Sequence, residues 1–532
     1  RPTMNLAGII YFFQVVLSLS NRVFNRSIGS SRTSHFEVRS LPDSPALPTS
    51  WAGRLPVLGA KTGNDIFFWL FEAEDSAYDH ELISDLVQRR TRLFILDRSD
   101  RGNGPISFAG NSTHLIRNPY SWTRLGHVLY VDQPVGTGFS TSTYPYPVRD
   151  NDGVTADFAQ WLHTFFDHFP HLKSKKVHLM GESWAGIYIP YFASALLEGK
   201  HSLPLNIQSM SLGDGSWGNA AALSSVAIGT YMHSQSTRLK IPKGILSAFS
   251  TADKTCGFDT VLKEASIYPP KGKIYIPGNP EYFNYRLKQR DMTDALDAAC
   301  DTDPITPAEL TNSILNSSCY GPCATFSTAM DYMDTASLKD TGAGIPCFDI
   351  YDISHNCSNV DTLQLIMKYF SRSDVQAALH VKNSGTYTAC NSTILGILLA
   401  APTAVPPAYH LLPNLVTKHN ISLHIYNGEL DMLINHIGNE LSIQNMTWRG
   451  HRGSRRSRII CSMLTILPLI LGKLKMVTRL GRGMQKEVFH TISSVGLGIV
   501  FSRRRKGRCL LMCGMWLWVG RWDNRGIFMC TV

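Results

Sequence analysis

The apolar positions of this chain follow two rhythms. Short, nearly continuous apolar runs predict buried strands over Asp65–Phe71, His127–Val131, Lys176–Met180 and Ser422–Ile425. Apolar residues at helical spacing predict helices over Ile187–Leu197, over Asp157–Phe169 with aromatics along one face, near Asp374–Leu379, and after Asp431. Strands and helices alternate, which is the order of an α/β chain. Four stretches break the rhythm. Met4 to about Ser20 is apolar, too short to cross a bilayer and ends in small residues, so residues 1–20 read as a secretory signal peptide. Residues 21–47 are polar and Pro/Ser-rich and read as a flexible leader. Residues 241–360 have little periodicity and read as an insertion. Residues 449–532 form a basic tail, whose apolar run Ile459–Leu471 is interrupted by Pro468 and predicts no stable membrane span.

The 532 residues suffice for one large α/β domain with an insertion. The net charge of +10 is unevenly placed. From Gly450 onward there are 16 Lys/Arg and two Asp/Glu, and the rest carries 35 basic and 39 acidic residues. The body is therefore mildly acidic, and no nucleic-acid partner is expected. Six cysteines fall between residues 256 and 357: Cys256, Cys300, Cys319, Cys323, Cys347 and Cys357. The spacings match no ordinary zinc pattern, so no metal is expected, and a disulfide-stapled insertion fits better. With Cys390 the body holds seven, an odd number. Sequons stand at Asn25, Asn111, Asn316, Asn356, Asn391, Asn420 and Asn445 and are candidate glycosylation sites from Asn111 onward.

The candidate chemistry centres on Gly181-Glu182-Ser183-Trp184-Ala185-Gly186, between a predicted strand and a predicted helix. Strand, G-x-S-x-G, helix is the context of a nucleophile elbow. The cramped turn exposes the Ser183 hydroxyl, and the backbone N–H of Trp184 points to where an oxyanion would form. A solvated serine in a Gly-rich turn is the bland alternative, and the flanking elements favour the elbow. Asn427-Gly428-Glu429-Leu430-Asp431 follows a late strand, where the acid of a Ser-Asp-His triad belongs in an α/β-hydrolase. Asp431 is preferred over Glu429 because it lies further past the strand end.

Together with Phe67–Glu72, Val131-Asp132-Gln133-Pro134-Val135-Gly136-Thr137-Gly138-Phe139-Ser140 and Asp374–Val381, these motifs resemble the serine carboxypeptidase family. They are spread over most of residues 48–448 in family order. The resemblance implies an α/β-hydrolase fold: a mostly parallel central sheet flanked by helices, with a disulfide-rich insertion or lid domain. Residues 48–240 and 361–448 would form the core and 241–360 the lid. It implies hydrolysis without a cofactor, with peptide or protein C-termini as substrate, in the secretory pathway, extracellular or vacuolar. It assigns Ser183 as nucleophile, Asp431 as triad acid, the Trp184 N–H to the oxyanion hole and Glu182 to the substrate carboxylate.

Two parts of the resemblance are missing. The family places an Asn-Gly-Gly-Pro-Gly-Cys-Ser-Ser oxyanion loop where residues 85–101 stand, and a catalytic His motif where the tail stands. Permitted codons for Gln88 through Ile95, read one base out of register, spell that loop. Codons for Val495 through Val500, read two bases out, spell Gly-Ala-Gly-His-Ser-Val. Both stretches therefore read as shifted out of frame, and the recovered cysteine would make the body count even. The catalytic His is not present in its motif, and His490 sits in none of the needed context. The chain as written is expected to be impaired. A secreted non-catalytic peptide-binding homologue and a carboxypeptidase-like acyltransferase are the alternative readings.

Overall fold

The computed structural model describes residues 32–85, 102–110, 112–199, 202–277, 306–317, 320–338, 348–354, 362–382, 384–388, 390–401, 406–448 and 451–453, with the backbone of 459–460, 509–513, 516–520 and 527–531. In chain order the strands are β1 (Ser50–Pro56), β2 (Asp65–Phe71), β3 (Glu81–Asp85), β4 (Ile106–Phe108), β5 (Leu115–Arg117), β6 (His127–Asp132), β7 (Lys176–Glu182) and β8 (Asn206–Gly213). They continue with β9 (Ser422–Asn427), β10 (Thr447–Trp448), β11 (His451–Arg452), β12 (Ile459–Ile460), β13 (Cys509–Cys513), β14 (Trp516–Gly520) and β15 (Ile527–Thr531). Nine of them make one sheet, in the order β1-β2-β6-β3-β7-β8-β9-β15-β12. β1, β2 and β6 pair antiparallel, and every pairing from β6 onward is parallel. This is the mostly parallel, helix-flanked sheet of the expected α/β-hydrolase fold.

The continuous apolar runs are explained by burial on both faces. Phe68, Leu70, Leu129 and Val131 point to one face, where the Asn151–His168 and Ala185–Glu198 helices pack. Phe67, Trp69, Phe71, Val128 and Tyr130 point to the other, against Tyr369, Phe370, Val375 and Leu379. Aromatic contacts lock the first face: Phe158 stacks on Phe192 at 4.1 Å, and Phe68 meets Phe165 edge-on at 5.5 Å. Each such ring, fully buried, contributes about 2–3 kcal/mol by area.

Three expectations change. The helix expected from Asp157 begins at Asn151, capped by the Asp150 carboxylate, which accepts from Gly153 N at 2.8 Å. Its first turn, Asn151-Asp152-Gly153, is polar and so leaves no apolar rhythm. The stretch expected as a flexible leader is packed from Thr33 onward. Phe36 lies edge-on to Phe68 at 5.3 Å and fills the space over Gly53, while Tyr369 Oη donates to Pro42 O at 2.6 Å. Three apolar anchors, Phe36, Val38 and Leu41, suffice to dock a mostly polar segment.

The insertion, where weak periodicity was expected, contains helices over Lys243–Thr255, Phe258–Ala265, Pro307–Leu315 and Thr325–Leu338. The first, third and fourth share a core with Ile228, Tyr231 and Met232 of the Ser225–Ser234 helix and with Met432 of the loop after β9, whereas Phe258 and Val261 of the second pack with Ala222, Val226 and Leu441. A disulfide joins Cys256 to Cys323. Cys300, Cys319, Cys347 and Cys357 lie outside the described residues. No described helix is long and apolar enough to cross a membrane.

Candidate active site

The turn after β7 is built as the sequence predicts. Ser183 has φ +58°, a left-handed backbone that costs a non-glycine residue about 1–3 kcal/mol and is held only by its surroundings. Ser183 N donates to Gly213 O, and Ser183 O accepts from Gly186 N and Ser216 N, all at 2.9 Å. Gly186 is required by contact: a Cβ there would lie 2.8 Å from Ser216 N and 2.9 Å from Gly215 Cα. Trp184 caps the helix that begins at Ala185, and its indole donates to Asn151 Oδ1 at 3.2 Å. Glu182, the last residue of β7, is buried.

The loop after β9 separates its two carboxylates. Glu429 is exposed, and its backbone carbonyl accepts from Tyr231 Oη at 3.1 Å. Asp431 is 2% exposed, and its Oδ1 accepts from Ile434 N at 2.9 Å. Burial and fixed orientation suit Asp431 to a triad acid and not Glu429.

A residue that sequence reasoning missed stands between these two loops. Asp214 follows β8, has φ +40° and is buried. Its Oδ1 accepts from Gly428 N at 2.8 Å and Asn427 Nδ2 at 3.3 Å, and its own N–H donates to Tyr426 O at 3.0 Å. Asn427 in turn donates to Ile434 O and accepts from Asn439 Nδ2, both at 3.0 Å. Burial, then Asp431, Glu429 and Asp214 together, pushes the Tyr231 phenol far above its ordinary value. The only sequence signal for Asp214 is its place in Gly213-Asp214-Gly215, at the end of a strand beside the elbow.

The sheet histidines have partners away from Ser183. His127 accepts from Ala73 N at 3.1 Å and lies 3.0 Å from Asp79, His178 joins Ser209 at 2.7 Å and Glu81 at 2.9 Å, and His424 meets Ser211 at 3.2 Å. His490 lies outside the described residues. β3 ends at Asp85, whose Oδ2 accepts from Asn103 Nδ2 at 2.6 Å, and residues 86–101 lie outside the description. Beside that strand end, the Ser84 hydroxyl and both amide atoms of Gln133 are buried without a hydrogen-bond partner among the described residues. No group of His, Cys, Asp and Glu able to hold a metal occurs among the described residues.

Of the sequons, Asn25, Asn111 and Asn356 lie outside the description, and Asn316 and Asn420 are exposed. Asn391 caps the Ser392–Ala400 helix and donates to Gly136 O at 3.0 Å. Asn445 is buried, with Oδ1 accepting from Ile274 N at 3.2 Å and Nδ2 donating to Ile274 O at 2.9 Å. A side chain so enclosed has no room for a glycan.

Comparison with known proteins identifies relatives of the whole chain. The profile of the family described as serine carboxypeptidase matches residues 101–460. A carboxypeptidase Y homolog of Arthroderma benhamiae is 44% identical over 438 residues, covering 80% of this chain and 83% of the relative. The pheromone-processing carboxypeptidase kex1 of Aspergillus fumigatus is 27% identical over 481 residues, covering 86% and 65% respectively. In fold, the chain is similar to the crystal structure of a prohormone-processing carboxypeptidase from Saccharomyces cerevisiae, with TM-score 0.58 and 19% identity over 94% of this chain and 91% of that one.

Proposed function

The chain belongs to the serine carboxypeptidase family of hydrolases, and on that premise we propose that its intact site releases C-terminal amino acids from peptides and proteins through an acyl-enzyme. The observation that carries this reading is the strained Ser183 at the elbow together with a buried, oriented Asp431 on the loop after β9. Ser183 Oγ attacks the last peptide carbonyl, and a histidine takes its proton. The tetrahedral oxyanion is held by the N–H of Trp184 and by one from the Gly-Gly loop. The C–N bond breaks as the histidine returns the proton to the leaving amino acid, and water then releases the shortened peptide. Asp431 orients the histidine and stabilises its cation. Glu182 reads the substrate's free carboxylate, which a carboxyl group can do by hydrogen bonding only while protonated. Activity is therefore expected at acidic pH, in the secretory pathway, extracellular or vacuolar, with glycans on exposed sequons such as Asn316 and Asn420.

The chain as written lacks the histidine motif and the oxyanion loop, so this polypeptide is impaired. Removing triad members costs several orders of magnitude in rate. Two observations support a shifted frame. The family profile starts at residue 101, where the first window ends, and stops at 460, early in the tail. The Ser84 hydroxyl and Gln133 amide, without partners among the described residues, sit at the strand ends beside the first window. A non-catalytic peptide binder is the second reading, and the missing histidine favours it. Sequencing the transcript across the codons for Ser84–Arg101 and from Trp448 onward decides between them. Both forms should then be assayed for amino-acid release from N-blocked dipeptides near pH 5. Turnover only by the in-frame form is expected. Equal turnover by the chain as written overturns the impairment, and an in-frame form without turnover overturns the carboxypeptidase reading.

A further inference from the structure

We infer that Asp214 is a positioning residue of the site, tying the loop that carries Asp431 to the elbow that carries Ser183; this rests on the reading of the site proposed above. The argument is one of connectivity. Gly213 O accepts from Ser183 N, and Ser183 O accepts from Ser216 N, so the segment 213–216 grips the elbow on both sides. Asp214 lies inside that segment and reaches the other way. Its Oδ1 takes two donors from the start of the acid loop, Gly428 N at 2.8 Å and Asn427 Nδ2 at 3.3 Å. Asn427 passes the constraint on to Ile434 O at 3.0 Å, and Ile434 N holds Asp431 Oδ1 at 2.9 Å. Nucleophile and acid, 248 positions apart in the chain, are thus joined through one buried carboxylate.

The backbone confirms that the position is built for it. A residue other than glycine at φ +40° persists only when its surroundings over-determine it. A backbone N–H and a side-chain amide both aim at this carboxylate. Among the described residues, the charged and titratable groups near Tyr231 at this corner include Asp431, Glu429 and Asp214, Arg238, and His436 at the start of the His436–Asn445 helix, its ring 6.2 Å from that of Tyr231. A fixed negative charge here stabilises a cation formed on a nearby triad histidine, in addition to Asp431.

Two variants separate anchoring from charge. Asp214→Ala removes both acceptor oxygens, whereas Asp214→Asn keeps one and loses the charge. In the full chain as written, hydrogen exchange of peptides spanning residues 426–434 should rise at least tenfold in the alanine variant and stay near the parent in the asparagine variant. In the full chain with both windows in frame, Asp214→Ala should lower kcat about 100-fold with KM within about twofold, as expected for misplacing a catalytic group by around 1 Å. Asp214→Asn should recover most of that kcat and move the acidic limb of the kcat/KM profile to lower pH. A general loss of structure would not produce that shift with kcat largely retained. Unchanged exchange in the alanine variant, or an acidic limb that does not move in the asparagine variant, overturns the inference. If the in-frame parent shows no turnover, the carboxypeptidase reading fails, and the exchange measurement still judges the anchoring.

Discussion

At the scale of single residues, the chemistry of this chain divides into what a local motif announces and what only folding assembles. Ser183, Glu182 and Trp184 stand out as candidates because strand, turn and helix are contiguous in sequence, and Asp431 because it follows a readable strand. Asp214 is not legible, since Gly213-Asp214-Gly215 looks like any polar turn and its partner Gly428 lies 214 positions away. The elbow also makes a stability claim. Ser183 carries φ +58°, and glycine has no steric objection to that conformation. Ser183→Gly should therefore unfold at higher denaturant than Ser183→Ala, by about 1 kcal/mol. Equal midpoints in a urea titration would mean that the turn stores no strain.

At the scale of elements, the four strands read from the sequence, β2, β6, β7 and β9, fall within two residues of their expected bounds, helped in β2, β6 and β7 by burial on both faces, which makes nearly continuous apolar runs. β1, β3 and β8 escaped that reading, and in β8 the apolar residues alternate with polar ones. Helix starts were less readable, because Asp150 caps a first turn with no apolar residue. Two buried groups at element boundaries set opposite pH dependences. His127 opens β6, and burial first, then the neighbouring Lys175, lowers its pKa from 6.5 to about 4. Such a group gives stability that is fully present above 6.5 and is lost as pH falls towards 4. Its loss amounts to about 3 kcal/mol. His127→Gln, which can keep the contact with Ala73 N, should flatten the fall in unfolding free energy between pH 6.5 and 4. Asp253 of the Lys243–Thr255 helix faces the Ser225–Ser234 helix, its carboxylate against Gly229. Burial, then Asp259, raises its pKa from 3.8 to about 7. The sign is reversed: this contribution is fully present below 3.8 and lost as pH rises through 7. Asp253→Asn should match the parent at pH 4 and exceed it by about 2–4 kcal/mol at pH 8. A constant difference between variant and parent across that range would show that Asp253 is not the titrating group.

At the scale of the whole molecule, the sheet and the insertion were unequally legible for one physical reason. The sheet repeats a simple burial rule along each strand, whereas the insertion buries short helices against a surface made by distant parts of the chain. Leu310 and Ile314 of the Pro307–Leu315 helix pack in one cluster with Tyr231, Phe249 and Met432. No local rhythm reports such a cluster, but cysteine spacing did report that covalent ties were needed there. The Cys256–Cys323 bridge closes a sequence separation of 67 residues. On the chain-entropy account, a loop of that size is worth roughly 4 kcal/mol. The bridge ties the end of the Lys243–Thr255 helix to the segment before Thr325–Leu338, the two sides of the insertion's core. Replacing both cysteines by serine should therefore loosen the insertion before the sheet. Limited proteolysis should cut first between residues 256 and 323, while exchange protection of β7 and β8 stays near the parent. Loss of protection throughout the sheet at the same rate would instead make the insertion and the sheet one cooperative unit, joined through Met432 and the acid loop.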